Sequence, residues 1–252
     1  MNQEQRAGIV TTKDRRWKKK ENVMNDQFVL HLKDFCKERY NNNSFKMDCF
    51  MSAMDAISRE DWDSLYDTLQ FNATVAADVF YFREAIIPIE IKCKIAVACY
   101  ERVGNELPII RKYVRMARPY RPRNWRDQLP DSVKNLDSFV VYRGGGEQIG
   151  KAQNSLSWTL CQEIAEWFML RHGYTHPGEQ FLYKGIIQAD KVIAYIDGRF
   201  EFEIVQYRNV KSIEIIKPSG ISDEYYEIRN NHSTDRTALE NDYFNRWYYN
   251  HL

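Results

Sequence analysis

A chain of 252 residues with 36 Lys+Arg against 35 Asp+Glu carries almost no net charge, and 44% of it is hydrophobic and 14% aromatic. Such a composition supports a substantial core and excludes an intrinsically disordered chain, and the length fits one large domain or two modest ones. No run approaches the ~20 apolar residues of a membrane-spanning helix, and the N-terminus lacks a signal-like apolar stretch, so a cytoplasmic protein is expected.

Five cysteines (Cys36, Cys49, Cys93, Cys99 and Cys161) are an odd number with no Cys-x-x-Cys among them, which points to reduced, buried thiols. Residues 1–20 hold seven Lys/Arg and two acids and read as a basic disordered tail. Residues 21–125 read as a helical region. Phe28, Leu32, Phe35 and Cys36 recur near the 3.6-residue period, as do Phe50, Met51, Met54 and Ile57, and then Trp62, Leu65, Tyr66 and Leu69. After Pro88 the run IEIKCKIAVACYERVG predicts a buried helix ended by Gly104.

The stretch RKYVRMARPYRPRNWR, residues 111–126, carries seven Lys/Arg and no acid, and the domain boundary is placed there. Arg111, Arg115, Arg118, Arg121, Arg123 and Trp125 have the composition of a nucleic-acid contact, with charge for phosphate and rings for bases. A solvated linker beside an acidic neighbour has the same composition, and both readings stand.

From Asp137 the texture turns strand-like. SFVVYR, FLYKGIIQ, KVIAYI, FEFEIV and KSIEIIK are short and rich in β-branched or aromatic residues. Asp197-Gly198 predicts a hairpin turn between the third and fourth of these. One helix, TLCQEIAEWFMLRHG, separates the first two, with Thr159 and Gln162 as a capping box and Gly173 as its stop. The aromatic-rich stretch 218–252 is expected to be partly helical and to pack back on the body. The predicted fold class is α+β, a helical region followed by a mixed core of short, mainly antiparallel strands with one prominent helix over residues 126–252.

Three places in this second half carry chemistry. Arg143 leaves a strand into Gly144-Gly145-Gly146, where a guanidinium can meet an anion; a surface arginine before a turn is the plainer reading. Ser155, Ser157 and Thr159 stand at a strand-to-helix junction, where hydroxyls usually cap and can also hold a carboxylate. Glu201 and Glu203 lie two apart in an apolar strand, so alternation would place both carboxylates on one side, roughly 7 Å apart; a wet strand face would look the same. His172 and His176 have no third ligand partner in the pattern, and no metal is expected.

In that order, "VVYRGG", "SWTLCQEIAEWF" and "EFEIV" resemble the three motifs of the mono-ADP-ribosyltransferases of the arginine–serine–glutamate class. The resemblance covers roughly residues 137–217, and Trp158 stands where the family's middle motif usually has a small residue. It implies an ADP-ribosyltransferase-like catalytic domain with NAD+ as co-substrate. Arg143 would grip the diphosphate and nearby ribose, and the Gly144 backbone the nicotinamide amide. Ser157 would orient Glu203 with Thr159 in support, and Phe168 would wall the nicotinamide. Tyr183 could do the same but reads better as core. Glu203 would hold the ribose 2′-hydroxyl, and Glu201 would meet the acceptor. The resemblance further implies a bacterial or phage-related toxin or defence effector modifying either a protein arginine or a nucleic-acid base. An antitoxin or regulatory protein is a possible partner. An NAD glycohydrolase, or an inactive module that binds through its N-terminal helices, are the alternatives.

Overall fold

The computed structural model describes residues 30–100, 107–175, 178–197 and 201–220. The basic tail, Gly104, His176 and most of the aromatic C-terminal stretch lie outside the described residues. Helices come first. Residues 30–40 form α1, followed by α2 (Ser44–Ser58), α3 (Trp62–Leu69), α4 (Ala73–Arg83), α5 (Ile89–Tyr100), α6 (Pro108–Met116) and the short α7 (Asp131–Lys134). Asn43, Asp61 and Asn72 precede α2, α3 and α4, and each side chain accepts the backbone N–H three residues on. This satisfies donors that the first helical turn leaves without partners. Pro88 sits just before α5 and Pro108 opens α6, positions where a missing N–H costs nothing.

The second half alternates strands with two helices: β1 (Ser138–Gly145), α8 (Ile149–Ala152), β2 (Ser157–Thr159), α9 (Gln162–Thr175), β3 (Phe181–Gln188), β4 (Ala194–Ile196), β5 (Glu203–Val205) and β6 (Lys211–Ile216). They form one six-stranded sheet in the order β4-β5-β2-β1-β3-β6, and every described pairing is antiparallel. The protein is therefore α+β, with helices before an antiparallel sheet.

Three local expectations are corrected. β4 and β5 are antiparallel neighbours with Ile196 paired to Glu203, so six residues separate the paired ends where the sequence predicts a two-residue turn at Asp197-Gly198, and Gly198 lies outside the described residues. Gly173 does not end α9, which continues to Thr175. A Cβ at Gly173 would lie 3.2 Å from Gln180 Cγ, so this glycine serves close approach and not termination. The capping box also fails in its second half. Gln162 Nε2 donates to Glu166 Oε1 at 2.9 Å, whereas Thr159 Oγ1 accepts the Cys161 N–H at 3.1 Å.

Register defines the two faces of the sheet, because residues directly opposite on neighbouring strands share a face. One row runs through all six strands: Ile196, Glu203, Thr159, Tyr142, Lys184 and Glu214. On this face Ile196 and Val205 join the apolar cluster formed by the helices, which also takes in Leu156 and Ile193. Further along the same face, Ala165 and Met169 of α9 pack on Leu182. Trp158, Ile204, Val141 and Tyr183 face the other way, into a separate cluster closed by Trp125 and Leu129. The face bearing Glu203 is thus covered by the helical region on one flank and by α9 on the other.

Candidate active site

A cavity of about 260 Å³ opens at the junction of β1, β2, α9 and β5. Arg143, Gly144, Ser157, Thr159, Phe168, Glu201 and Glu203 all line it, together with Tyr142, Trp158, Ala165, Arg171 and His172. Residues as far apart in sequence as Tyr142 and Glu203 therefore share one space.

Glu203 opens β5, is 5% exposed, and stands opposite Thr159. Glu201 lies before the strand, and Phe202 between them has φ 44°. A left-handed phenylalanine is costly and persists only where its surroundings hold it. Two hydrogen bonds do so: Thr159 Oγ1 donates to the Glu201 carbonyl at 2.7 Å, and the Leu160 N–H donates to the Phe202 carbonyl at 3.1 Å. This corrects the expected geometry. Simple strand alternation does not align the two glutamates; a turn pinned by the end of β2 does. Thr159 accordingly acts on the Glu201 backbone and on the start of α9. Ser157 lines the cavity one step back along β2, opposite Val205.

Trp158 explains itself by the same alternation. It points away from Ser157 and Thr159 and is 1% exposed within the cluster on the far face. A large side chain is accommodated there without crowding the hydroxyls.

Arg143 is held on three sides. Nε donates to Glu147 Oε1 at 2.6 Å, Nη2 pairs with the same oxygen at 2.5 Å, and Nη1 donates to the Ser157 carbonyl at 2.8 Å. Glu147 also accepts from Ser155 Oγ at 3.2 Å, and its backbone carbonyl accepts from the Tyr183 hydroxyl. Burial alone would raise the Glu147 carboxyl, but the adjacent Arg143 charge and these hydrogen bonds hold it below the ordinary glutamate range. Arg143 is thereby a staple between the β1 end and β2 as well as a cavity wall. Tyr183 is fully buried and belongs to the core.

Gly144 has a steric reason to be glycine. A Cβ there would fall 1.9 Å from the Ala165 carbonyl oxygen and 2.5 Å from the Met169 nitrogen. Only a bare backbone lets α9 lie this close to β1, and that contact sets the cavity's width. Phe168 is half-buried on α9, with its ring 4.8 Å from that of Trp167 in an edge-to-face contact.

Sequence did not single out Arg171, and it weighed His172 only as a metal ligand. Arg171 and His172 follow Phe168 by three and four positions, so they share its helix face, and the 3.6-residue period from Phe168 would have found them. The Arg171 guanidinium lies 5.0 Å from the Trp167 ring, and His172 Nδ1 is 2.9 Å from Gln180 Oε1. The helical region also reaches the site. Burial first, then the negative Glu203, push the Tyr100 phenol far above its ordinary range, while Arg111, Arg143 and Arg115 pull it back. These five groups share one electrostatic neighbourhood at the ends of α5 and α6.

The basic segment is divided: Arg121 and Trp125 turn inward, while Lys112, Arg115, Arg118 and Arg123 are exposed. The Arg121 guanidinium stacks 3.9 Å from the Trp125 ring and donates to the carbonyls of Val192 and Asp190, the latter at 2.8 Å. Trp125 is 9% exposed, so its ring is not the open stacking platform the composition suggested. Arg115 lies 5.3 Å from the Tyr207 ring, while Arg118 and Arg123 are exposed. Burial pushes the Cys161 thiol up to about 12 and Cys93 up to about 11, which disfavours thiolate chemistry at either. Among the described residues no cluster of His, Cys, Asp and Glu could hold a metal ion, and no helix is long and apolar enough to cross a membrane.

Comparison of the chain with protein-family models, with curated proteins and with solved structures returns no match.

Proposed function

We propose that the chain is an NAD-dependent mono-ADP-ribosyltransferase acting on a macromolecule, with an ADP-ribosyltransferase-like fold over its second half. The observation that carries this reading is the convergence of Arg143, Ser157, Phe168, Glu201 and Glu203 on one cavity from four separate elements. At about 260 Å³ the cavity is smaller than the roughly 300–1,000 Å³ pockets that enclose whole ligands, so it suits the nicotinamide-ribose end of the dinucleotide.

In this reading, Phe168 presents its ring to the nicotinamide. The cations Arg143 and Arg171, both lining the cavity, offset the diphosphate charge. The Glu203 carboxylate accepts a hydrogen bond from the ribose 2′-hydroxyl. Positive charge grows on the ribose as the bond from C1′ to nicotinamide breaks, and that hydrogen bond strengthens with it. Nicotinamide leaves with the electron pair. The acceptor then forms a bond to C1′ and gives its proton to Glu201. Burial of Glu203 excludes water from the charge that matters most. Toxin or defence-effector activity is part of the same proposal.

The test is incubation of the protein with NAD+ labelled in its adenylate, together with total cellular protein and RNA. Label retained on either macromolecular fraction supports the transferase and identifies the acceptor class. Free ADP-ribose as the sole product, with both fractions present, makes the protein a glycohydrolase. No consumption of NAD+ overturns the reading.

A further inference from the structure

The residues around Tyr120 and Trp125 do not border the Arg143–Glu203 cavity. They line a second one, of about 230 Å³, between α3, α5, segment 117–128 and the edge strand β4. Its walls carry four rings, those of Tyr66, Tyr120, Trp125 and Tyr195, and two cations, Lys94 and Arg121. Lys94 Nζ lies 4.3 Å from the Tyr66 ring centroid, and Arg121 lies 3.9 Å from that of Trp125. Carbonyl oxygens of Val192 and Asp190 fix the Arg121 guanidinium, so the Arg121–Trp125 stack is a rigid wall. Tyr120, by contrast, is 38% exposed at the rim. None of the lining residues is acidic, and Gln128 brings an amide with both donor and acceptor capacity.

We propose that this second cavity binds a nucleobase, with the attached phosphate held by Lys94 and the exposed cations of the adjoining basic segment. The volume admits one ring system rather than an extended ligand. Tyr120, exposed at the rim, offers the π-face on which a base can stack, since Arg121 lies over Trp125 and Lys94 over Tyr66, and stacking of this kind tolerates sequence. The lining contributes Lys94, and Arg118 and Arg123 are exposed in the same 16-residue stretch as Arg121, which carries no acid. That charge selects an anion-bearing ring over a neutral one. Gln128 is exposed and can pair with the polar edge of a heterocycle. The same base and phosphate chemistry is offered by a free mononucleotide and by a single-stranded nucleic acid. This site stands independently of the proposed transferase reaction.

Two binding measurements on the full chain test it: equilibrium dialysis with AMP, and fluorescence anisotropy of a labelled short single-stranded RNA at several salt concentrations. Binding of AMP identifies the mononucleotide as a sufficient ligand; binding of RNA alone identifies the strand. In either case Tyr120→Ala is expected to weaken binding about tenfold, because one stacking surface is lost. Lys94→Ala and Arg118→Ala are expected to flatten the salt dependence. AMP could also enter the Arg143–Glu203 cavity, so Phe168→Ala, which removes a wall there, should leave the measured affinity unchanged. The proposal is overturned if neither ligand binds, if Tyr120→Ala binds like the unaltered protein, or if Phe168→Ala alone abolishes the signal.

Discussion

Thr159 Oγ1 donates to the Glu201 carbonyl at 2.7 Å while accepting the Cys161 N–H at 3.1 Å, so one hydroxyl ties the turn before β5 to the start of α9. The two walls of the cavity are thereby fixed to each other. Thr159→Val keeps the shape and removes both hydrogen bonds. The loss should cost about 1–3 kcal/mol, since buried partners are left unsatisfied. It should also free Phe202 from its left-handed conformation and let Glu201 drift. Denaturant unfolding gives the first effect; the rate of ADP-ribose transfer, which should fall more than the rate of NAD+ cleavage, gives the second.

The two glutamates are expected to separate on isosteric substitution. Glu203→Gln keeps a side chain of the same size at a 5% exposed position but removes the negative charge that the proposed reaction sets against the developing ribose cation. A loss of several kcal/mol of transition-state stabilisation is about a thousandfold in rate. Glu201→Gln should spare NAD+ cleavage and abolish transfer, because only the acceptor's proton depends on it. Far-ultraviolet circular dichroism and a melting curve establish that each variant is folded. A folded Glu203→Gln variant that consumes NAD+ at the normal rate removes the assignment.

Much of the site could be read from residue order, because its parts sit at ends of elements that local patterns mark. β3 falls where FLYKGIIQ places it, at Phe181–Gln188, and β1 starts at Ser138 as its β-branched run requires. What could not be read were partnerships between elements. Nothing near Glu147 says that its carboxylate faces Arg143 across three glycines, or that Tyr183 from another strand bonds its carbonyl. The inward role of Arg121 was hidden for the same reason: its partners, the Asp190 and Val192 carbonyls, lie some 70 residues away in sequence. The Glu201–Phe202–Glu203 turn was misread because apolar alternation predicts an unbroken strand, and a tertiary hydrogen bond from Thr159 overrides it.

Glu147 gives the stability a distinct acid limb. Burial raises its carboxyl, yet the Arg143 charge and the hydrogen bonds it accepts together outweigh this and leave it below the ordinary glutamate value of about 4.3. A carboxyl depressed in the folded state stabilises above its unfolded pKa and loses that contribution as pH falls through the folded one. Near neutral pH, Glu147→Gln should therefore be less stable than the unaltered protein. The gap should narrow as pH falls below about 4.3 and close once both carboxyl states are protonated. Urea midpoints measured across that range check the convergence; a gap independent of pH would assign the effect to packing instead.

Glu166 on α9 offers the sharpest stability test. It is 1% exposed and accepts four hydrogen bonds: from Gln162 Nε2 at 2.9 Å, from the Ser219 N–H and hydroxyl at 2.7 Å each, and from the Gly220 N–H at 3.1 Å. The chain beyond β6 is thus fastened to the helix that walls the cavity. Glu166→Ala removes the acceptor shared by all four; Ser219 and Gly220 are exposed and can turn to water, so about 2 kcal/mol is expected. Ser219→Ala removes one donor and leaves three, so about 1 kcal/mol is expected. The order of the two losses in denaturant titrations is the check. A larger effect for Ser219→Ala than for Glu166→Ala would mean that the carboxylate is not the anchor.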